Sequence, residues 1–484
     1  MSPTTLFWHD YETSGADPRR DRPVQFAGLR TDLELEPVGE PVMVYCKPAI
    51  DSLPHPDACL ITGITPQHAE REGLIESEFA AIVQEELGAP GTCGVGYNSL
   101  RFDDEFSRNL LYRNFHDPYE REWKDGNSRW DIIDLVRMCY ALRPDGIEWP
   151  LRDDATPSFR LEDLARANGL DHARAHDALA DVEATIALAR LVRARQRRLF
   201  DFHFALRRKQ RAFELLDVAR MTPVVHVSSR YPASRGCLAV VVPLAMHPSQ
   251  SNAVIAYDLD VDPVPLIELD DEAISERVFA RREDLPDDVE RIPLKLVHAN
   301  RSPALAPLSV LKGVDAGRIG LDVERALAHL ERLRGVDGLA SKLQRVFAGE
   351  RSTAAPGDPE MALYAGFLPD ADRRRLREVR MASPAELAQA PPSFTDPRYR
   401  ELLFRYRARN WPDSLDPVEA RRWEAFRHDR LTRETALTTL TLERYFETIA
   451  ARRATAAPAQ NVLLDALEAW GRELAAGLDG RASC

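Results

Sequence analysis

The chain has 484 residues, 44% of them hydrophobic and 29% charged, which is enough for two to four domains with separate cores. Its 77 acidic against 64 basic residues leave a formal charge of −13, which argues against a nonspecific nucleic-acid coat protein and requires any nucleic-acid contact to rest on locally concentrated positive charge. Apolar stretches such as CLAVVVPLAM (Cys237 to Met246) fall far short of the ~20 residues of a membrane span, and the opening MSPTTLFWHD lacks the layout of an export signal, so a cytoplasmic protein without membrane association is expected.

In chain order, LFWHDYE, VQFAGLRTDLE (Val24 to Glu34) and PVMVYCKP (Pro41 to Pro48) carry the patterning of three consecutive strands, a meander opening an α/β domain. TPQHAEREG predicts a helix capped by Thr65 with Pro66 in its first turn, continuing to Gly88 with a break at Gly73. TCGVGYNS predicts a further strand running into an amphipathic helix in FDDEFSRNLLYRNF. From Ala178 to about Arg197, Leu179, Val182, Ile186 and Ala189 recur at three- and four-residue steps, predicting a helix with one buried face.

The stretch Arg190 to Arg211 holds nine Arg or Lys and a single Asp; charge alone does not separate a docking patch from a solvated helix face. Beyond it the texture becomes β-rich. MTPVVHVSS, CLAVVVPLA, NAVIAYDLD and IPLKLVHAN, separated by Pro, Gly, Ser and Asp clusters, predict a small barrel accompanied by helical segments such as Leu321 to Leu333. GERSTAAPGDPE (Gly349 to Glu360) reads as a linker to a third, helical segment. The six cysteines lie far apart without a C-x-x-C pair, which argues against a zinc site or a disulfide frame.

The chemistry is concentrated in the first segment. Side chains two apart on a strand face the same way, so Asp10 and Glu12 emerge together while Tyr11 points to the other side. Two carboxylates this close repel, and sharing a divalent cation offsets the repulsion; hard oxygen ligands favour magnesium or manganese. The plainer reading of D-x-E is a strand end at the surface. Asp103 stands where a strand hands over to a helix, a place that also suits a simple helix-start carboxylate. ARAHDALADVEATI puts His176 just before a helix, Asp177 at its cap and Asp181 in its second turn; alone, H-x4-D equally suits a solvated histidine beside a cap. The order D-x-E, then D, then H-x4-D in a sheet-first α/β domain is what makes the set specific.

This set resembles the DEDDh group of 3′-to-5′ exonucleases, whose fold resembles ribonuclease H. HDYETSG, CKPA, LITGITPQ, GYNSLRFDDE, NSRWDIIDLVRMCYALRPDGIEWP, SFRLEDLARANGL, AHDALADVEATI and LLFRYRARNWP extend the likeness, across nearly the whole chain, to the bacterial exodeoxyribonuclease I family. The resemblance implies an α/β, ribonuclease H-like exonuclease domain over 1–197, an SH3-like domain with helical insertions over 198–350 and a helical C-terminal domain over 351–484. It implies a monomer whose three domains encircle single-stranded DNA and digest it from the 3′ end to 5′-mononucleotides, in DNA repair and recombination. Asp10, Glu12, Asp103 and Asp181 would hold two Mg2+ ions, with Mn2+ able to substitute, and His176 would be the general base. Two cations ~4 Å apart suit a phosphodiester because they neutralise its charge and stabilise the departing oxygen.

Among substrate contacts, the resemblance implies Glu12 and Arg160, with Arg108 and Trp123 along the single-strand path; guanidinium suits phosphate and indole suits an unpaired base. Salt bridges for the arginines and core-edge packing for Trp123 are the plainer alternatives. LLFRYRARNWP, with Phe367 nearby in sequence, mixes arginine and aromatics as a strand-tracking surface does, but Tyr406 and Trp411 read better as packing between helices. The family also binds the acidic C-terminal tail of single-stranded DNA-binding protein, and Arg143 and Arg334 stand at matching positions. Phe202 there replaces a tyrosine and Pro307 a polar side chain. Two other functions remain consistent with the residues: an RNA-trimming or proofreading exonuclease of the same group, and a noncatalytic DNA-end-binding scaffold.

Overall fold

The computed structural model describes residues 4–170, 177–287, 289–349 and 357–481, and divides into two compact units. The division does not follow the three linear segments. One unit gathers residues 1–128, 173–183 and 353–484; the other comprises 129–172 and 184–352. His176 and most of the expected linker lie outside the described residues.

The first unit opens with β1 (Thr5–Thr13), antiparallel to β2 (Pro23–Thr31), which pairs with β3 (Val42–Tyr45). The chain then crosses over through three helices, Pro56–Thr62, Pro66–Glu72 and Glu76–Gly88, to β4 (Thr92–Gly96), parallel to β1. A parallel neighbour requires such a crossover, because a tight turn can only return the chain antiparallel. Thr65 caps the second helix through the His68 amide, as expected, and the break at Gly73 separates it from the third. The helix Pro56–Thr62 has no counterpart in the expected elements. His55 caps it, and Gly63, in the left-handed region at φ 72°, ends it.

Strand alternation sorts β1 into two faces. Phe7 and Tyr11 join Phe26, Phe79, Val83 and Leu110 in one apolar cluster, so the helices Glu76–Gly88 and Asp103–Arg113 cover that face. Asp10 and Glu12 are thereby left on the other.

The C-terminal helices belong to this same unit. Tyr112 and Phe115 pack with Leu363, Phe394, Tyr399 and Tyr406, and Leu53 and Cys59 pack with Leu431, Tyr445 and Leu467. Between these clusters runs a chain of buried ion pairs. Asp51 meets Arg409 at 2.8 Å and also Arg430, while Glu360 meets Arg409 at 2.7 Å, Arg22 at 2.8 Å and Arg405 at 3.0 Å. Burial pushes the Asp51 carboxyl up, but the two guanidiniums overcome it and hold the group well below the usual carboxylate range. The helix Pro397–Asn410 therefore supplies Arg405 and Arg409 to stitch the unit, and Tyr406 packs against Trp411 at 5.3 Å rather than facing a strand.

The second unit holds an antiparallel sheet ordered β10-β6-β7-β8-β9, after β5 (Ser128–Asp131) has carried the chain out of the first. Its strands are β6 (Val224–Val227), β7 (Leu238–Met246), β8 (Ala253–Asp258), β9 (Leu294–His298) and β10 (Ala304–Pro307), the last unanticipated from the pattern. Nearly all of β7 is buried because both faces are covered. Ala239 and Val241 pack with Leu206, Ala212 and Leu216, whereas Val240, Val242 and Leu244 pack with Leu330, Leu333 and Phe347. The helix expected over Leu321 to Leu333 spans Val323–Arg334.

Removing one partner of the buried network leaves guanidiniums uncompensated, a loss of about 3–5 kcal/mol. Glu360→Ala is therefore expected to lower the unfolding free energy of the first unit by that amount, extrapolated from urea titrations followed by tryptophan fluorescence.

Candidate active site

The antiparallel register sets Asp10 opposite Ala27 and Glu12 opposite Gln25, while β4 accompanies β1 only from Thr5 to Trp8. Past Trp8, the amides of β1 on that side have no strand to donate to. Asp103 fills the gap: the Tyr11 amide donates to its Oδ1 at 3.2 Å. The tight approach passes through Gly96, where a Cβ would stand 2.6 Å from the Ser99 Cβ and 3.1 Å from the His9 carbonyl oxygen. The Tyr11 hydroxyl and Ser107 Oγ, 3.0 Å apart, fasten the following turn of the same helix.

Asp181 arrives on the helix Ala178–Arg195, closing its first turn rather than standing in the second. Asp177 accepts from the amides of Leu179 and Ala180, as a cap should. The Ala178 amide donates to Gln25 Oε1 at 3.3 Å, so the helix start is tied to the residue that faces Glu12 across the ladder.

As a result, Asp10, Glu12 and Asp181 each offer an oxygen within 4.8 Å of the others. Burial, then Asp103, Asp181 and Glu12, hold the Asp10 carboxyl well above its ordinary range; burial, then Asp181 and Asp103, push Glu12 up to about 8. Asp103 thus faces the same cluster. Hard oxygen donors, mutual repulsion and partial burial fit a divalent-cation site, since bound positive charge removes the strain that otherwise retains protons.

The remaining expected residues are scattered. Trp123 is 64% exposed and lines a groove with Tyr112, Tyr119, Leu363 and Phe367, the last 82% exposed. Arg108 is 6% exposed, pairs with Glu122 through two bonds of 2.6 and 2.9 Å and with Glu105 at 2.7 Å, and lies 5.6 Å from the Tyr119 ring centroid. Arg160, in the second unit, precedes the helix Leu161–Ala167 and touches Glu162 at 3.3 Å. There too, Arg143 donates to the Val310 carbonyl at 3.1 Å, Arg334 pairs with Glu331 at 2.7 Å, Phe202 packs at the edge of an apolar cluster and Pro307 is exposed at the end of β10. Gln25 and Arg121, which bonds Asp104 at 2.7 Å, were not anticipated; a lone glutamine in a strand and an arginine in a charged turn carry no sequence signal.

The strand-borne D-x-E and the helix-borne Asp that could hold a metal ion lie within residues 7–189, which the Exonuclease family profile matches, so the class is that of the nucleases. The Exonuclease I SH3-like domain matches residues 207–349, and the Exonuclease I C-terminal domain residues 357–474. Exodeoxyribonuclease I of Escherichia coli is 48% identical over 431 residues, covering 89% of this chain and 90% of that protein. Exonuclease I from Methylocaldum szegediense superimposes with a TM-score of 0.93 at 54% identity, over 97% of this chain and 99% of that one. A zinc-bound E. coli exonuclease I complex with single-stranded DNA does so with a TM-score of 0.91 at 44% identity, over 98% of this chain and 100% of that one. The chain belongs to the exodeoxyribonuclease I family.

A carboxyl group with a raised folded-state pKa stabilises the fold while protonated; for Glu12 the contribution is complete below 4.5 and lost as pH climbs through about 8. In EDTA the thermal midpoint is expected to fall across that window, and either Asp10→Asn or added Mg2+ should flatten the fall. Calorimetric midpoints against pH check this.

Proposed function

We propose that this chain degrades single-stranded DNA from its 3′ end, releasing 5′-mononucleotides, in DNA repair and recombination. The observation that supports it most directly is the convergence of Asp10, Glu12 and Asp181, from opposite ends of the exonuclease segment, on one point that Asp103 also faces. These four side chains would hold two Mg2+ ions, or Mn2+ in their place. Bound there, divalent cations supply charge neutralisation at the phosphodiester and acidify water.

The chain's own groups do the rest. Asp10, Glu12 and Asp181 present their oxygens from a strand and a helix start that are tied together through Gln25. Asp103 holds β1 at the Tyr11 amide and adds its negative charge to the cluster. His176 would accept the proton of the attacking water, a task an imidazole can perform near neutral pH. Trp123 and Phe367 give unpaired bases apolar faces to stack on, and Arg108, against the Tyr119 ring of that groove, would lie along the strand path. Arg160, more than half exposed, is available to a phosphate. Arg143 and Arg334, with Phe202, would receive the acidic tail of single-stranded DNA-binding protein, its affinity altered by Phe202 and Pro307. A cytoplasmic monomer with domains over 1–197, 198–350 and 351–484 completes the proposal. No helix among the described residues is long and apolar enough to cross a membrane.

Digestion of matched DNA and RNA single strands labelled at either end tests the reading; preference for RNA or release from the 5′ end would refute it. Asp181→Ala is expected to abolish hydrolysis while strand binding in EDTA stays measurable. His176→Ala should slow single-turnover cleavage by roughly 10²-fold or more. Trp123→Ala is expected to weaken binding of a short single strand by about 1–3 kcal/mol, the worth of one stacked base, in fluorescence-anisotropy titrations.

A further inference from the structure

Three consecutive acids, Asp103, Asp104 and Glu105, open the helix Asp103–Arg113, and only one of them faces the cluster. Successive residues on a helix point about 100° apart, so which acid faces β1 depends on how the first turn is rotated. The helix dipole favours any of them there and does not choose.

The choice is made by what each carboxylate meets. Asp103 accepts from the Tyr11 amide. Glu105 is drawn aside by Arg108 at 2.7 Å and by the Tyr364 hydroxyl. Asp104 turns into the protein and meets Arg121 at 2.7 Å, with side chains 1% and 2% exposed. The same guanidinium nitrogen also donates to the Asp104 carbonyl oxygen at 3.3 Å, so it grips side chain and backbone of the residue next to the ligand. Arg121 sits on a short helical turn, Glu120–Glu122, whose Glu122 holds Arg108 one turn further along the helix. Two ion pairs thus staple turn to helix, and the one through Arg121 acts at the helix start.

We propose that Arg121 is a positioning residue of the metal site: by holding Asp104 it fixes the rotation of the first turn and keeps Asp103 directed at Asp10, Glu12 and Asp181. It touches neither substrate nor metal. The inference rests on the cluster being a divalent-cation site. Groups that orient metal ligands from behind typically change metal affinity 10–100-fold when removed.

The test is Mn2+ titration of the metal-stripped full-length protein by isothermal calorimetry, beside anisotropy titration of a short single strand in EDTA. Arg121→Met is expected to weaken Mn2+ binding by 10-fold or more and to leave strand affinity in EDTA within about twofold, with Arg121→Lys falling between it and the native protein. Should Arg121→Met fail to fold because Asp104 is left as a lone buried charge, the double variant Asp104→Asn/Arg121→Met removes that charge and is expected to show the same weakened Mn2+ binding. Native-like Mn2+ affinity in a folded Arg121→Met or double variant overturns the proposal, as does an equal loss of strand affinity in EDTA, the mark of general damage. Native protein that binds Mn2+ without digesting DNA would refute the proposed function and leave this inference standing; native protein that binds no Mn2+ would overturn the inference too.

Discussion

Mutual repulsion among four carboxylates is the constraint on which the first unit is built. Asp10, Glu12 and Asp181 bring oxygens within 4.8 Å of one another, and Asp103 adds a fourth negative group. Left to themselves such groups separate or retain protons, and the raised Asp10 and Glu12 carboxyls show that this protein keeps them together. What keeps them together is backbone geometry. β1 fixes two, the Tyr11 amide holds the third, and the Gln25 side chain ties down the helix that carries the fourth. The Tyr11 bond occupies an amide that β1 offers past the end of β4, and the Gln25 bond occupies a helix-start amide, so ordinary backbone chemistry supports the strained site.

The same unit resolves an apparent conflict in the charge. An acidic chain with an Arg-rich C-terminal segment suggests a basic surface for nucleic acid, yet Arg405, Arg407 and Arg409 are buried and paired with Glu360, Glu401, Glu419, Asp51 and Asp358. Arg409 ties the last part of the chain to the first through Asp51, while Arg405 and Arg407 hold the C-terminal segment together. Two turns apart on one face of the helix Pro397–Asn410, Tyr399 and Tyr406 pack against Phe115, so apolar contacts add to the ionic ones. The exposed aromatics Trp123 and Phe367, by contrast, have no packing duty large enough to explain their exposure.

Several features were readable without coordinates because they depend on local rules. Alternation along LFWHDYE separates Asp10 and Glu12 from Tyr11, the Thr65-Pro66 pair starts a helix, and Asp177 caps the helix of Asp181. Local rules also explain the misses. Pro56–Thr62 and Ala304–Pro307 are too short for a period to show, and the grouping of residues 173–183 with both ends of the chain leaves no trace in composition. For Arg108 the i,i+3 spacing from Glu105 was a local signal for an ion pair, whereas its second partner, Glu122, lies beyond the end of the helix, where no local rule reaches.

The sequence alone determined the residue types of the site, their placement on a strand and two helix starts, the α/β opening and the β-rich middle, because periodicity and capping act within a few residues. Tertiary structure alone decided which of Asp103, Asp104 and Glu105 faces the cluster, that the C-terminal helices close on the first segment, and that most arginines of LLFRYRARNWP are spent on buried pairing. Those outcomes depend on partners beyond the local window, from Arg121, 17 residues after Asp104, to Asp51, 358 residues before Arg409, and the energy of an ion pair or an amide contact is defined only once folding has set the distance between its members.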